Sequence, residues 1–422
     1  MKKLLLSLFV LSSSPLAFSQ GSWTPRTSFP DSGYSQGISG FSIGNYGYAG
    51  LGSYTGAAIS FDDFWQFNAS TDSWTRKAPF PGRARVSPAS FVIGGKAYVV
   101  TGSVTNGGAC VNECWEYDTA TDAWTQKAPF PGSARVYAVG FAIDSLGYVG
   151  TGAYELHDFR KDFYAYHPST NTWTRVTDFG GIARDADCGF AVNGKGYVCF
   201  GQDSILNTYN DIWEYDPILN TWTQKSNNPG SRLVCAVGFS ICNNIYVGSG
   251  DTTSYLHSDD YGKFWKYNTI SGIWTEEANT PYPHRILGTA FAIGDTGYYG
   301  LGNDSTGLVH TIFDKFYAGD SCSNITTGDK DIADVSGLTI YPNPNNGIFT
   351  VVCHSSPPAG REESHATIEI YNIVGTKVFT KTLRSAHGDN LIRLTQPNGV
   401  YLYHIITEDG SLLKQGKVVI DK

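Results

Sequence analysis

The side chains with the widest chemical reach in this 422-residue chain are few, and several are regularly spaced. Five arginines, Arg85, Arg135, Arg184, Arg232 and Arg285, recur at near-equal steps, and Tyr34 falls close to the equivalent place one step earlier. Planar cations gathered in a concave mouth would hold a carboxylate or sulfate bidentately. A residue that recurs in every repeat first of all serves the repeat, so donation to backbone carbonyls and stacking on aromatics are their primary expectation. A second set holds His157-Asp158-Phe159-Arg160, Asp203, Asp251 with the run His257 to Tyr261, and Asp304 with His310. Histidines and carboxylates of this kind serve acid–base chemistry or metal ligation, although polar loop residues are commonly just solvated. Cys110 and Cys114 form a CxxxC without a nearby His, which favours a disulfide over zinc. The chain holds no GxSxG, HExxH or P-loop, and no GxGxxG set between a strand and a helix. No cofactor and no metal is expected.

Composition says what kind of scaffold must hold these groups. There are 48 Gly, 23 Phe, 26 Tyr and 10 Trp, but a single Met and only 16% charged residues. Helix-rich chains lean on Ala, Leu, Glu, Lys and Met, so an all-β protein is expected. A net charge of −8 without a Lys/Arg-rich block removes the electrostatic footprint of a nucleic-acid binder.

The aromatics are periodic. Trp-Thr occurs at Trp23, Trp74, Trp124, Trp173, Trp222 and Trp274, in steps of 49 to 52 residues. Phe41, Phe91, Phe141, Phe190, Phe239 and Phe291 are each followed by a Tyr seven residues on and a Gly four further, Gly52, Gly102, Gly152, Gly201, Gly250 and Gly302. A third marker, an aromatic pair, reads Trp65/Phe67, Trp115/Tyr117, Tyr164/Tyr166, Trp213/Tyr215, Trp265/Tyr267 and, in the last copy, Phe316. Period-2 aromatics bounded by Gly, Asn and Asp read as four short strands per unit, a to d. The c–d turns end on Asp72, Asp122, Asn171, Asn220 and Gly272, residue types that tolerate positive φ.

Four-stranded units of this length resemble kelch repeats, and over residues 21 to 318 they imply a six-bladed β-propeller, with the first Trp-Thr strand closing the last blade. The tandem Gly that kelch units carry after strand b is here Tyr-x-Gly-x-Gly or looser. The marker-to-marker b–c intervals vary, at 13, 13, 12, 12, 15 and 14 residues from Gly52/Trp65 to Gly302/Phe316, whereas the a–b interval is constant. Variable loops on a rigid scaffold carry binding, so the face shared by the b–c and d–a loops is the expected site. The resemblance further implies that the recurring arginines line the mouth of the central channel. The same fold occurs in copper radical oxidases and sialic-acid mutarotases, but the crosslinked Tyr–Cys and copper ligands of the former cannot be placed here.

The two ends set the address. Lys2 and Lys3 precede the apolar run Leu4 to Leu11, and Ala17-Phe18-Ser19 offers small residues at a cleavage site, so 1–19 reads as a signal peptide. The run is too short to span a membrane, and no later segment does so. Residues 319–335 read as a linker, and 336–422 as a small Ig-like β-sandwich of short alternating strands. Within it, Tyr341-Pro342-Asn343-Pro344 with Gly347, Ile370 to Gly375, Gly399-Val400-Tyr401 and a late Lys417 resemble a type A sorting domain of type IX secretion. That resemblance implies the secretion machinery and a sortase as partners, and a place outside a Gram-negative cell or on its outer membrane. The expectation is thus a secreted propeller binding glycan or protein through its b–c/d–a face. The alternatives are a carbohydrate-active enzyme such as an epimerase or mutarotase, or a scaffold without a pocket. A paired-carboxylate or His–carboxylate cluster at the mouth would favour the enzyme.

Overall fold

The computed structural model describes residues 21–30, 37–53, 60–104, 108–154, 158–252, 262–281, 285–304, 308, 310–319, 338–341, 347–353, 366–372, 376–383, 390–407 and 412–420. The expected signal peptide, 1–19, and most of the expected linker, 319–335, lie outside them. Two compact units divide the chain at Ile325/Thr326.

The first unit is a six-bladed propeller of four-stranded antiparallel sheets, each in the order a-b-c-d. Blade four, for example, runs through Cys188–Val192, Lys195–Cys199, Ile212–Asp216 and Thr221–Gln224. Strands a pack side by side in a closed ring about the axis. In the last blade, Ser22–Arg26 pairs with Phe313–Tyr317 and supplies strand d, so the ring closes through its N-terminal strand.

Each marker has a mechanical role. The Trp-Thr indole of one blade donates to a carbonyl just beyond strand d of the preceding blade: Trp74 to Thr27, Trp124 to Ala78, Trp173 to Ala128, Trp274 to Ser226 and Trp23 to Ala278, at 2.7–3.1 Å. Asp72, Asp122, Asn171, Asn220 and Gly272 all adopt positive φ, as the turn requires. Four of these side chains also reach across, Asp72, Asp122, Asn171 and Asn220 accepting the amides of Thr27, Ala78, Ala128 and Thr177, and the last three also accept the hydroxyls of Tyr117, Tyr166 and Tyr215. Strand-a phenylalanines pack on the glycines that open strand b of a neighbour: a Cβ at Gly147 would lie 2.1 Å from Phe91. The repeat therefore encodes blade-to-blade contacts as much as blades.

One expected marker is displaced. In register, Trp65, Trp115, Trp213 and Trp265 oppose Ala49, Val99, Val198 and Val247, and in blade six Asp314 opposes Tyr299. Phe316 is the second aromatic of its pair, so the b–c step there is shorter than the marker count indicated.

The second unit is a β-sandwich. A three-stranded and a four-stranded antiparallel sheet enclose one core of Phe349, Val351, Ile368, Ile370, Leu383, Ile392, Tyr403, Ile405, Val418 and Ile420.

Candidate functional site

The b–c and d–a loops do share one face, laced by backbone bridges such as Val86↔Ser103, Val136↔Ala153, Asp185↔Gln202, Val234↔Asp251 and Ile286↔Asn303. At its centre, Gly37, Ser87, Tyr137, Ala186, Cys235 and Leu287 all have positive φ, 46° to 67°. The amides of Ser87, Tyr137, Ala186 and Cys235 each donate to the equivalent carbonyl of the blade before, at 2.8–3.3 Å. Neighbours so bonded lie about 5 Å apart, and a hexagon's radius equals its edge, so the backbone narrows the channel here to a small aperture. The left-handed conformation at five non-glycine residues is strained, and at Ser87, Tyr137, Ala186 and Cys235 the bond to the blade before holds it.

Four of the recurring arginines are interior. Arg85, Arg135 and Arg184 are 0% exposed and Arg285 1%. In the first three, Nε donates to the carbonyl two residues earlier and Nη1 to the carbonyl just after strand b of the next blade, that of Thr101, Thr151 or Phe200. Nη2 meets Glu113, Asp162 or Asp211. Their guanidinium planes lie over Phe80, Phe130 and Phe179 at 4.8–4.9 Å. For Asp162, burial alone would raise the carboxyl, but the hydrogen bond and charge of Arg135 outweigh it and hold it below the usual range. These three arginines spend their donors on the propeller itself.

The remaining two depart from the pattern. At the fourth junction the slot of Arg85, Arg135 and Arg184 is taken by Leu233, whose carbonyl accepts from Gly201 as theirs do from Gly52, Gly102 and Gly152. Asn228 stands in place of the phenylalanine and Lys263 in place of the acid, so all three members change together. Arg232 is one residue out of register and exposed. In blade six, Arg285 lies over Tyr299 at 5.7 Å and faces Asp314, which burial pushes up to about 6 against the opposing charge of Arg285.

Beside Arg232 lies a cavity of about 420 Å³, lined by Gly180, Ile182, Tyr209, Trp213, Asn227 and Arg232 among others. Several of its walls break the repeat. Pro30, Pro81, Pro131, Pro229 and Pro281 occupy the place of Gly180, where a Cβ would sit 2.6 Å from Trp213. Against Gly180, outside the cavity lining, lies Trp222, whose indole, unlike the other five Trp-Thr indoles, has no hydrogen-bond acceptor. Arg184 lies over the Tyr209 ring, at 4.4 Å, as well as over that of Phe179. Ile182, Ile205 and Leu206 stand exposed in the loops of this blade.

Blade four also carries two acids at the aperture. Asp185 and Asp187 flank Ala186, where the other junctions have Val86/Pro88, Val136/Ala138, Val234/Ala236 and Ile286/Gly288. Thr151 donates to Asp187 at 3.0 Å, while Oδ1 of Asp185 and Oδ2 of Asp187 have no partner. Burial raises Asp185 to about 7 and Asp187 to about 8.

The other expected residues are dispersed. Asp203 is a loop fastener, accepting from the amides of Ile205 and Asn207 and the hydroxyl of Tyr209. Asp304 and His310 repeat that device in blade six, with Nε2 and Oδ2 3.0 Å apart and the Leu308 amide donating to Asp304. Asp158 pairs with Arg160 in a surface ribbon. Tyr34, His157 and His257 lie outside the described residues. The expected Cys110–Cys114 bridge is not formed: the Cys110 thiol donates to the Ala153 carbonyl, and Cys114 is a core thiol in strand c. Burial pushes the Cys114 thiol up. Among the cysteines whose side chains are described, Cys242 is disulfide-bonded.

Asp185, Asp187 and Gly180 escaped the reading of motifs, yet a column-by-column comparison of the d–a segments exposes all three as the odd members of their columns. The comparisons with known proteins agree with this architecture. Residues 89–300 match a family model described as the KLHDC2/KLHL20/DRC7 Kelch-repeats domain, and residues 339–421 match one described as the Secretion system C-terminal sorting domain. A solved structure entitled "Structure of YjhT" is 15% identical, covering 67% of this chain and 94% of that one with a TM-score of 0.57, which shows a shared fold. No curated protein matches the chain.

Proposed function

The chain belongs to the kelch-repeat family and carries a type IX sorting domain that sends it to the medium or the outer-membrane surface, and we propose that its propeller binds a glycan there through blade four. The observation that carries this reading is the convergence of repeat departures on one cavity. Gly180, the unpartnered Trp222 indole and the displaced Arg232 each cost the blade a contact that its neighbours keep; Gly180 and Arg232 line the cavity, and the Trp222 side chain lies directly against Gly180. Amide side chains both donate and accept, an indole packs against sugar C–H groups, and one exposed guanidinium suits a single acidic substituent. The volume lies within the range of small-ligand sites. On this reading the tail engages the secretion machinery and its sortase, and the propeller is the part that works outside.

Asp185 and Asp187 support a second reading, catalysis on a carbohydrate at the channel aperture. Two carboxyls that titrate near neutrality present both a proton donor and an acceptor.

Glycan-array binding of the full-length protein tests the first reading. Arg232→Ala should weaken binding about 10- to 100-fold, the worth of one charge-assisted contact, and leave the melting temperature unchanged. Binding indifferent to Arg232→Ala and Asn227→Ala removes the cavity as the site.

A further inference from the structure

Blade four departs from the repeat once more, at a pair of residues. The first position of strand a and the last of strand b oppose each other in every blade: Ser39↔Gly50, Ala89↔Val100, Val139↔Gly150, Cys188↔Cys199, Val237↔Gly248 and Thr289↔Gly300. Only blade four places cysteine at either position, and it does so at both. The strands are joined by a two-residue turn of Asn193 and Gly194, both at positive φ, so the register is set locally. Counting from that turn, Cys188 and Cys199 form a hydrogen-bonded pair with Cα atoms about 5.5 Å apart, at the favoured separation for a disulfide. Both are free thiols in this structure, the Cys188 thiol donating to the Ala236 carbonyl at 3.1 Å, and Cys188 is close enough to Cys199 to raise its thiol further.

We propose that Cys188 and Cys199 close as a cross-strand disulfide when the chain is exported, by exchange with a disulfide-bonded oxidant. The thiolate of one cysteine attacks a sulfur of the oxidant, forming a mixed disulfide and releasing one oxidant thiolate. The second cysteine's thiolate attacks the protein sulfur of that mixed disulfide, so the Cys188–Cys199 bond forms and the second oxidant thiolate leaves. Two protons pass from the protein thiols to the oxidant, which is reduced by two electrons. The compartments outside the inner membrane supply this chemistry, and the cytoplasm does not.

Burial determines when the exchange happens. Cys199 is 0% exposed and its thiol is held well above its ordinary range, chiefly by burial, so in the folded blade it presents almost no thiolate, and Cys188 beside it is buried from an oxidant. Closure belongs to the period before strands a and b are covered by their neighbours. Once formed, the bond is shielded from reductant by the same burial. Cys235, beside Cys188 across the junction, is the competing thiol. The bridge would tie the two inner strands whose loops carry Asp185, Asp187 and the cavity.

The test is a non-reducing tryptic map of the full-length protein recovered from an exporting Gram-negative host and alkylated before digestion. Cleavage after Arg184, Lys195 and Lys225 places the two cysteines on separate peptides, 185–195 and 196–225, each with a single Cys. The expected result is one linked pair of these peptides per chain, lost on reduction and lost in Cys188→Ser. Protein made in a reducing cytoplasm and folded before exposure to glutathione disulfide should stay alkylatable at both positions for hours. Recovery of both peptides alkylated from the exported protein, or a link from Cys199 to Cys235, overturns the proposal.

Discussion

Replacing Arg135 with alanine separates the structural role of the arginines from any binding role. Arg135 is 0% exposed, donates to Ser133 and Thr151 at 3.0 and 2.9 Å, pairs with Asp162 and covers Phe130 at 4.8 Å. Removing one partner of a buried pair costs about 3–5 kcal/mol, most of it from the charge left behind. At about 2–3 °C per kcal/mol for a unit of this size, the propeller should melt about 6–15 °C lower at pH 8. All ten tryptophans lie before residue 326, so tryptophan fluorescence follows the propeller alone. The pH dependence carries a sign. In the native protein Asp162 is held low, so the contribution of the pair is complete above the unfolded carboxyl value of about 4 and is lost as pH falls below it. In the variant, burial is opposed only by a backbone hydrogen bond at Asp162 and the weaker influence of Arg160, and the folded carboxyl rises. The destabilisation should therefore be greatest at pH 8 and shrink toward pH 5 as Asp162 takes up a proton. Arg135→Met with Asp162→Leu should recover most of the loss, since an apolar pair needs no counter-charge. A melting shift below about 2 °C, or one equal at pH 5 and pH 8, would show that the buried pair does not carry the energy assigned to it.

Two further outcomes follow from the fold. Trp23→Ala should destabilise the ring by about 3–5 kcal/mol, because the indole packs on Phe264 and Phe316 at 5.2 and 4.8 Å and donates to Ala278; an unchanged urea midpoint would contradict closure through the N-terminal strand. Asp185 and Asp187 have folded values raised to about 7 and about 8, so stability should fall as pH rises from about 4 through these values. Asp185→Asn with Asp187→Asn should flatten that decline and raise the melting temperature at pH 8, which a thermal melt across pH 5–9 checks.

The repeat was legible because every blade solves the same packing problem. Trp-Thr, Phe with its Tyr, and the terminal Asp or Asn of the c–d turns had their spacing and turn chemistry in the sequence, and each is explained by a contact to a neighbouring blade. The site was less legible. Arg232 fits the series of arginines by count, and only backbone pairing shows that Leu233 fills the slot. Phe316 passed for the first aromatic of its pair because Asp314 had taken that place. Cys110 and Cys114 are near in sequence, yet Cys114 lies in strand c and Cys110 reaches toward blade three.

Sequence by itself thus determined the period, the strand order, the closure of the ring and the presence of the sorting module, because those depend on local turn geometry and on residue types repeated at fixed steps. The tertiary structure decided which members of each series still do the shared work. Burial, register and hydrogen-bond partners depend on what the neighbouring blade presents, and there blade four differs at Gly180, Asp185, Asp187, Cys188, Cys199 and Trp222, bordered by the displaced Arg232.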